Sequence, residues 1–234
     1  MLLTLKDIAF VFLISFFLSC EKQVEIPLSK IQYSIKINIE DFNGNTISLY
    51  KLTPNFTVID SVLVTKNTAF FDGKINYPER YFLTLDAIDG GKLFIVENDS
   101  IEINVDINDL KKSTIKGSKI NDELFQFQNE SKQISAKIEL LFPDLQRARL
   151  NNDAEMLEKI STQIAEIEQE NINFNFDYIS RHPASFISAM ILNDLSKREE
   201  IDIDKISKAF HSLSNTVKQS VDAEEVERFL SLQL

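Results

Sequence analysis

At Gly117 the apolar residues change their period, and that change decides which class of fold is open to the chain. From about Ile31 to Lys116 they alternate, as in strands with one buried face; beyond Gly117 they recur at helical spacing, and no glycine occurs again. Strands first and helices after make a segregated α+β chain. The expected architecture is an N-terminal antiparallel β-sandwich or open barrel over residues 31–118, followed over residues 119–234 by an α-helical region made of a helical hairpin and short C-terminal helices.

Within the first part, Tyr33, Ile35, Ile37 and Ile39 fall on one face of the opening run. Asn43-Gly44 then reads as a hairpin, because both residues tolerate positive φ. Further runs stand at Ile47 to Tyr50, Phe56 to Val64, Ala69 to Phe71, Tyr81 to Leu85, Leu93 to Val96 and Ile101 to Ile107. The clusters Lys66-Asn67, Asp72-Gly73, Asp89-Gly90-Gly91 and Asn98-Asp99-Ser100 separate them as turns. In the second part Asn121 is an expected N-cap for a helix burying Leu124, Phe127, Ile134, Ile138 and Leu141, ended or kinked by Pro143. A second long helix is expected from Asp153, striped by Met156, Ile160, Ile164 and Ile167 and closed at His182-Pro183. Shorter helices are expected at Pro183 to Leu195, Asp204 to Ser214 and Ala223 to Leu232.

The start of the chain carries a different signal. Lys6 and the terminal amine precede the apolar run Ile8 to Leu18, about a dozen residues, which is the length of a signal-peptide core. A bilayer-spanning helix needs roughly 20. Phe17-Leu18-Ser19-Cys20 resembles a relaxed bacterial lipobox, so residues 1–19 read as a lipoprotein signal peptide, Cys20 as the lipid-bearing first mature residue and residues 20–30 as a tether. Cys20 is the single cysteine, and thioether linkage to diacylglycerol removes the mispairing hazard of an unpaired thiol in an oxidising envelope. An ordinary secretory signal with an incidental cysteine is the other reading. Anchoring implies a membrane partner and a place in the cell envelope, at the outer membrane, with the periplasmic or surface face left open by the charged start Glu21, Lys22 and Glu25.

The net charge of -11 lacks the basic footprint that nucleic acid demands. With no Trp and eighteen Phe, the chain is poor in the platforms that grip sugars. Asp41, Asn43 and Asn45 alternate like calcium ligands, but Gly44 and Leu52 stand in the wrong places for such a loop, so a turn is expected there. His182 and His211 are far apart, and each is expected to offset a helix end. Glu166, Glu168 and Glu170, with Asp153, Glu155 and Glu158, read as a solvated helix face. No nucleophile elbow and no phosphate-cradling glycine loop is present, so neither catalytic residue, metal nor cofactor is expected. One enzymatic alternative places acid-base or metal chemistry on the loop residues Asp86, Asp89 and Glu97. Asp60-Ser61-Val62 and Asp99-Ser100-Ile101 resemble the O-glycosylation triplet of Bacteroidota envelope proteins, which marks Ser61 and Ser100 as modification sites.

The order of several segments carries a broader resemblance: Tyr33 to Ile37, the turn at Asn43-Gly44, Ile59 to Val62, Phe70 to Gly73, Tyr81 to Leu83, Leu93 to Asn98, and Lys116 to Asn121. Together they resemble the uncharacterised β-rich domain at the N-terminus of Bacteroidota thiol:disulfide interchange lipoproteins, which precedes a helical linker and a thioredoxin-like domain. His182-Pro183-Ala184-Ser185-Phe186 is similar to the linker's Asn-Pro-x-Ser stretch, and the resemblance runs over about residues 31 to 195. In the redox members a Cys-x-x-Cys pair does the chemistry. Here the chain reaches Leu234 with Cys20 alone, so the resemblance implies a non-catalytic binding or interaction module, with an envelope protein as partner and no thiol:disulfide exchange. A truncated remnant of a redox protein is the remaining alternative.

Overall fold

The computed structural model describes residues 32–86 and 88–233, so the signal peptide, Cys20 and the tether lie outside the described residues. Among the described residues eight strands follow one another: β1 (Tyr33–Asn38), β2 (Thr46–Lys51), β3 (Thr57–Leu63), β4 (Thr68–Gly73), β5 (Glu79–Leu85), β6 (Ile88–Val96), β7 (Ser100–Asn104) and β8 (Thr114–Lys116). They form two four-stranded sheets, ordered β4-β1-β7-β8 and β3-β2-β5-β6. The alternation does what the period requires. Tyr33, Ile35 and Ile37 of β1, Phe71 of β4, and Ile101 and Ile103 of β7 meet Ile47, Leu49, Tyr81, Leu83 and Phe94 of the second sheet in one buried core.

Three local expectations give way. Asn43-Gly44 is a turn, with Gly44 at φ 81°, but it closes no hairpin. Both edges of β1 are taken, by β4 antiparallel and β7 parallel, and both edges of β2 by β3 and β5, so the turn carries the chain from one sheet to the other. Gly90-Gly91 is not a turn but the early part of β6, with Leu85 opposite Ile88 across the tight bend. A Cβ on Gly91 would stand 2.4 Å from the Leu83 carbonyl oxygen and from the Phe82 ring, so the glycine permits close approach of two strands. The cap of the first helix is Ser118, whose side chain accepts from the Asn121 N–H; Asn121 serves another purpose described below.

The helices are α1 (Lys119–Glu139), α2 (Phe142–Leu150), α3 (Ala154–Arg181), α4 (Phe186–Ser196), α5 (Ile203–Ser212) and α6 (Val221–Ser231). Pro143 sits in the first turn of α2, where its missing N–H costs no hydrogen bond. Asp153, near which the sequence starts the second long helix, caps α3 by accepting from the Met156 N–H. α1 and α3 form an antiparallel arm. Its contacts step in opposite directions along the two helices: Phe127 on Tyr178 and Phe174, Ser131 with Asn171, Lys137 with Glu170 at 2.6 Å. α4 is almost wholly buried and centres a second apolar core with α5, α6 and the root of the arm. Among the described residues, Ile95 is the one sandwich residue in that core's buried membership.

Candidate functional site

The outer face of the second sheet is divided in two. Register places Val58, Tyr50, Phe82 and Leu93 in one row across β3, β2, β5 and β6, and places Arg80 beside Ile95 in the next row of the outer face. Helices cover the Arg80–Ile95 part. Arg80 reaches out of β5 to grip α4 and α6: Nη1 donates to both Asp194 carboxylate oxygens at 2.7 and 2.8 Å, and Nη2 donates to Asp222. Asp222 is buried, and its Oδ1 also accepts from Asn193 Nδ2 at 2.7 Å and from the Thr53 hydroxyl at 3.3 Å. Burial alone would pull the Arg80 pKa down, but the carboxylates of Asp222 and Asp194 outweigh it and hold the group above the usual arginine value.

The Val58, Tyr50 and Phe82 part is left uncovered by helices, whereas Leu93 at the β6 end of that row lies beside Leu124 and Phe125 of α1. Phe56 stacks on Tyr50 at 4.5 Å and touches Phe82 edge-on at 6.2 Å, yet it remains 59% exposed. β3 is the sheet's outermost strand, and of its seven residues Val62 alone is partly buried. Val58, Ile59 and Leu63 are exposed, as is Phe70 on β4. Between Leu49 and Tyr50 the register slips, leaving Ile59 as an extra residue that bulges the edge. Among the described residues no strand pairs with the free side of β3. A long apolar edge of this kind offers unpaired N–H and C=O groups beside greasy side chains.

The opposite edge of the sheet is closed. Asn121, one turn into α1, turns its side-chain amide onto β6: Oδ1 accepts from the Ile95 N–H at 2.9 Å and Nδ2 donates to the Ile95 carbonyl at 2.7 Å. A side chain here takes the place of a neighbouring strand.

The sequence-predicted site residues are scattered. Asp86 and Asp89 are exposed near the β5–β6 bend, whereas Glu97 lies just past the far end of β6, where it accepts from the Ser118 hydroxyl at 2.6 Å. Eight steps along a strand separate Asp89 from Glu97, roughly 26 Å, so the structure does not bring these acids together. Ser61 is exposed on β3 with its hydroxyl 2.8 Å from that of Ser48, and Ser100 is exposed at the start of β7. In both, the preceding aspartate accepts from the serine N–H, at 2.7 and 2.8 Å. His182 caps the C-terminus of α3 and stacks on Tyr178 at 4.4 Å, while the His211 ring bonds the Ser207 carbonyl at 2.7 Å on its own helix. Among the described residues no three His, Cys, Asp or Glu side chains gather as metal ligands.

Sequence reasoning missed a polar cluster at the root of the arm. Glu123 of α1 accepts from the Tyr178 hydroxyl and from the Ser185 hydroxyl, the latter at 2.7 Å. Burial first, and then this bond to Glu123, raise the Tyr178 pKa well above the usual phenol. The helical spacing gave no sign of it, because Glu123 and Ser185 lie 62 residues apart. Their geometry is that of a fastening, since Ser185 also caps α4 by accepting from the Ile187 N–H.

Residues 33–124 match the model of a domain of unknown function, DUF4369, a span that covers the sandwich and the first turns of α1. No curated protein matches the chain.

Proposed function

We propose that this chain is a non-enzymatic, lipid-anchored protein of the cell envelope, held at Cys20, whose β-rich domain docks an envelope protein. The observation that carries the reading is the β3 edge with its uncovered apolar face. Monomeric proteins rarely expose a contiguous apolar patch without an interaction to match, and an open strand edge is the template for strand addition. The resemblance to thiol:disulfide interchange lipoproteins supplies one partner class, a relative that retains the thioredoxin-like domain. Ser61 and Ser100, both exposed, are proposed as sites of O-glycosylation.

Two experiments test the parts separately. The intact mass of the N-terminal peptide from membrane-extracted protein reads the anchor: a diacylated Cys20 is expected, and cleavage without lipid would overturn the lipoprotein reading. A photo-cross-linking residue at Val58 should capture one discrete envelope protein, with Lys159 on the arm as the control position. Ile59→Glu should abolish that capture without changing the fold. Capture that survives Ile59→Glu would sink the docking reading. Turnover of a disulfide substrate by the mature protein would sink the non-enzymatic one.

A further inference from the structure

The sandwich is open along the side where β6, the last strand of one sheet, faces β8, the last strand of the other. α1 leaves β8 and runs past this opening. Above the point where Asn121 seals Ile95, the three elements enclose a cleft of about 610 Å³. That volume falls within the range of small-molecule sites.

Charged and apolar side chains line it, together with the neutral polar Ser113, Thr114, Asn121, Gln128 and Asn129. Lys92 of β6, Lys111 and Lys112 of the turn after β7, and Lys132 of α1 converge on it from three elements, with Asp122 as the acidic residue among the lining groups. Lys112 is partly answered by Asp109 at 3.3 Å. In a chain of net charge -11 this is a local reversal of sign. The floor is apolar: Leu93, Ile115, Leu124 and Phe125, the last 63% exposed. Lys92 is the group to watch. Its ammonium is half-buried and donates to the Lys111 carbonyl at 2.9 Å, and burial lowers its pKa. An ammonium has three donors; an anion in the cleft would meet those left over and restore what burial takes away.

We infer that this cleft is a binding site for a single-chain anionic amphiphile, its carboxylate or phosphate head on the lysine rim and its alkyl tail on Leu93, Ile115, Leu124 and Phe125. The site lies at the β6 edge and the docking surface at the β3 edge of the same sheet, so the two are separate. An acidic peptide would meet the same lysines, but the cleft has the volume of a small ligand and an apolar floor that such a peptide does not need.

The test is calorimetric titration of the intact chain with decanoate, decyl phosphate, decanol, inorganic phosphate and an oligoglutamate peptide. Decanoate and decyl phosphate should each bind at one site, and the comparison of the two identifies the preferred head. Decanol and inorganic phosphate should each bind about tenfold more weakly or worse, having lost the head or the tail. Lys111→Ala with Lys132→Ala, both at exposed positions, should weaken decanoate at least about fivefold and leave thermal unfolding of the free protein unchanged. Phe125→Ser should weaken decanoate while sparing inorganic phosphate. Decanol binding as tightly as decanoate, decanoate binding that ignores the lysine variants, or a preference for oligoglutamate would each overturn the inference. None of these outcomes touches the cross-link at Val58.

Discussion

A guanidinium held almost wholly inside the protein depends on its buried countercharge more than on an exposed one. Arg80 holds one of each: Asp222 is buried and Asp194 is largely exposed. Asp222→Ala leaves the cation short of its inner partner, so stability should fall by roughly 3–5 kcal/mol. Asp194→Ala removes a partner already screened by water and should cost less than about 1 kcal/mol. Denaturant midpoints of the two variants check the ordering; equal losses would contradict it. The phenols make a second prediction at this scale. Tyr81 titrates above the ordinary tyrosine value because it is buried and lies near Tyr33 and Glu79, and Tyr178 because it is buried and bonded to Glu123. Unfolded, each ionises near pH 10, like an ordinary phenol. Their contribution to stability is therefore complete below that pH. It is lost as pH rises toward the folded values, because there the unfolded chain binds fewer protons than the native one. The chain has no Trp, so tyrosinate absorbance follows this cleanly. Tyr178→Phe should flatten part of the alkaline decline.

At the scale of elements, β6 and α1 are made for each other at a single residue. Asn121→Ala removes the partners of both the Ile95 N–H and the Ile95 carbonyl in a buried setting, at about 1–3 kcal/mol for each group left unpaired. Hydrogen exchange at the Ile95 amide should rise well beyond the global change, and exchange that merely follows global stability would deny Asn121 its role as a surrogate strand. The inner faces of β1, β2, β5 and β7 could be read from the alternation of their own residues, and the lengths of α1 and α3 from their stripes. Pairing could not, because the period of a strand says which side chains turn inward but not which strand lies beside it. The Asn43-Gly44 turn was thus legible as a turn and illegible as a passage between sheets. Gly91 shows the same limit, since a glycine needed for a bend and one needed for close approach look alike in sequence. The exposed apolar edge was hidden for that reason too. Phe56 to Val64 reads as a strand like the others, with one buried face, until the order β3-β2-β5-β6 puts β3 at the edge. The acids Asp89 and Glu97, near in sequence, are held apart by the strand between them.

For the molecule as a whole the question is what makes two apolar cores behave as one body. The sandwich core and the helical core meet through little hydrocarbon: Ile95 is the sheet's one buried contribution to the helical side, joined by the looser contact of Tyr77 with Phe186 at 6.0 Å. Most of the joint is polar, made of Arg80 with Asp194 and Asp222, and Asn121 with Ile95. Polar ties of this kind add modest net stability but fix geometry, because a misplaced Arg80 or Asn121 would leave buried groups unpaired. Cooperativity should therefore depend on them more than on apolar area. The wild-type chain should lose helical ellipticity and the exchange protection of β1 amides at the same denaturant concentration. In the double variant Arg80→Ala with Asn121→Ala the two should separate, with each core unfolding at its own midpoint. Coincident transitions in the double variant would mean that Ile95 and its neighbours suffice to couple the cores, and that the clamp orients the helices on the sheet without binding their fates together.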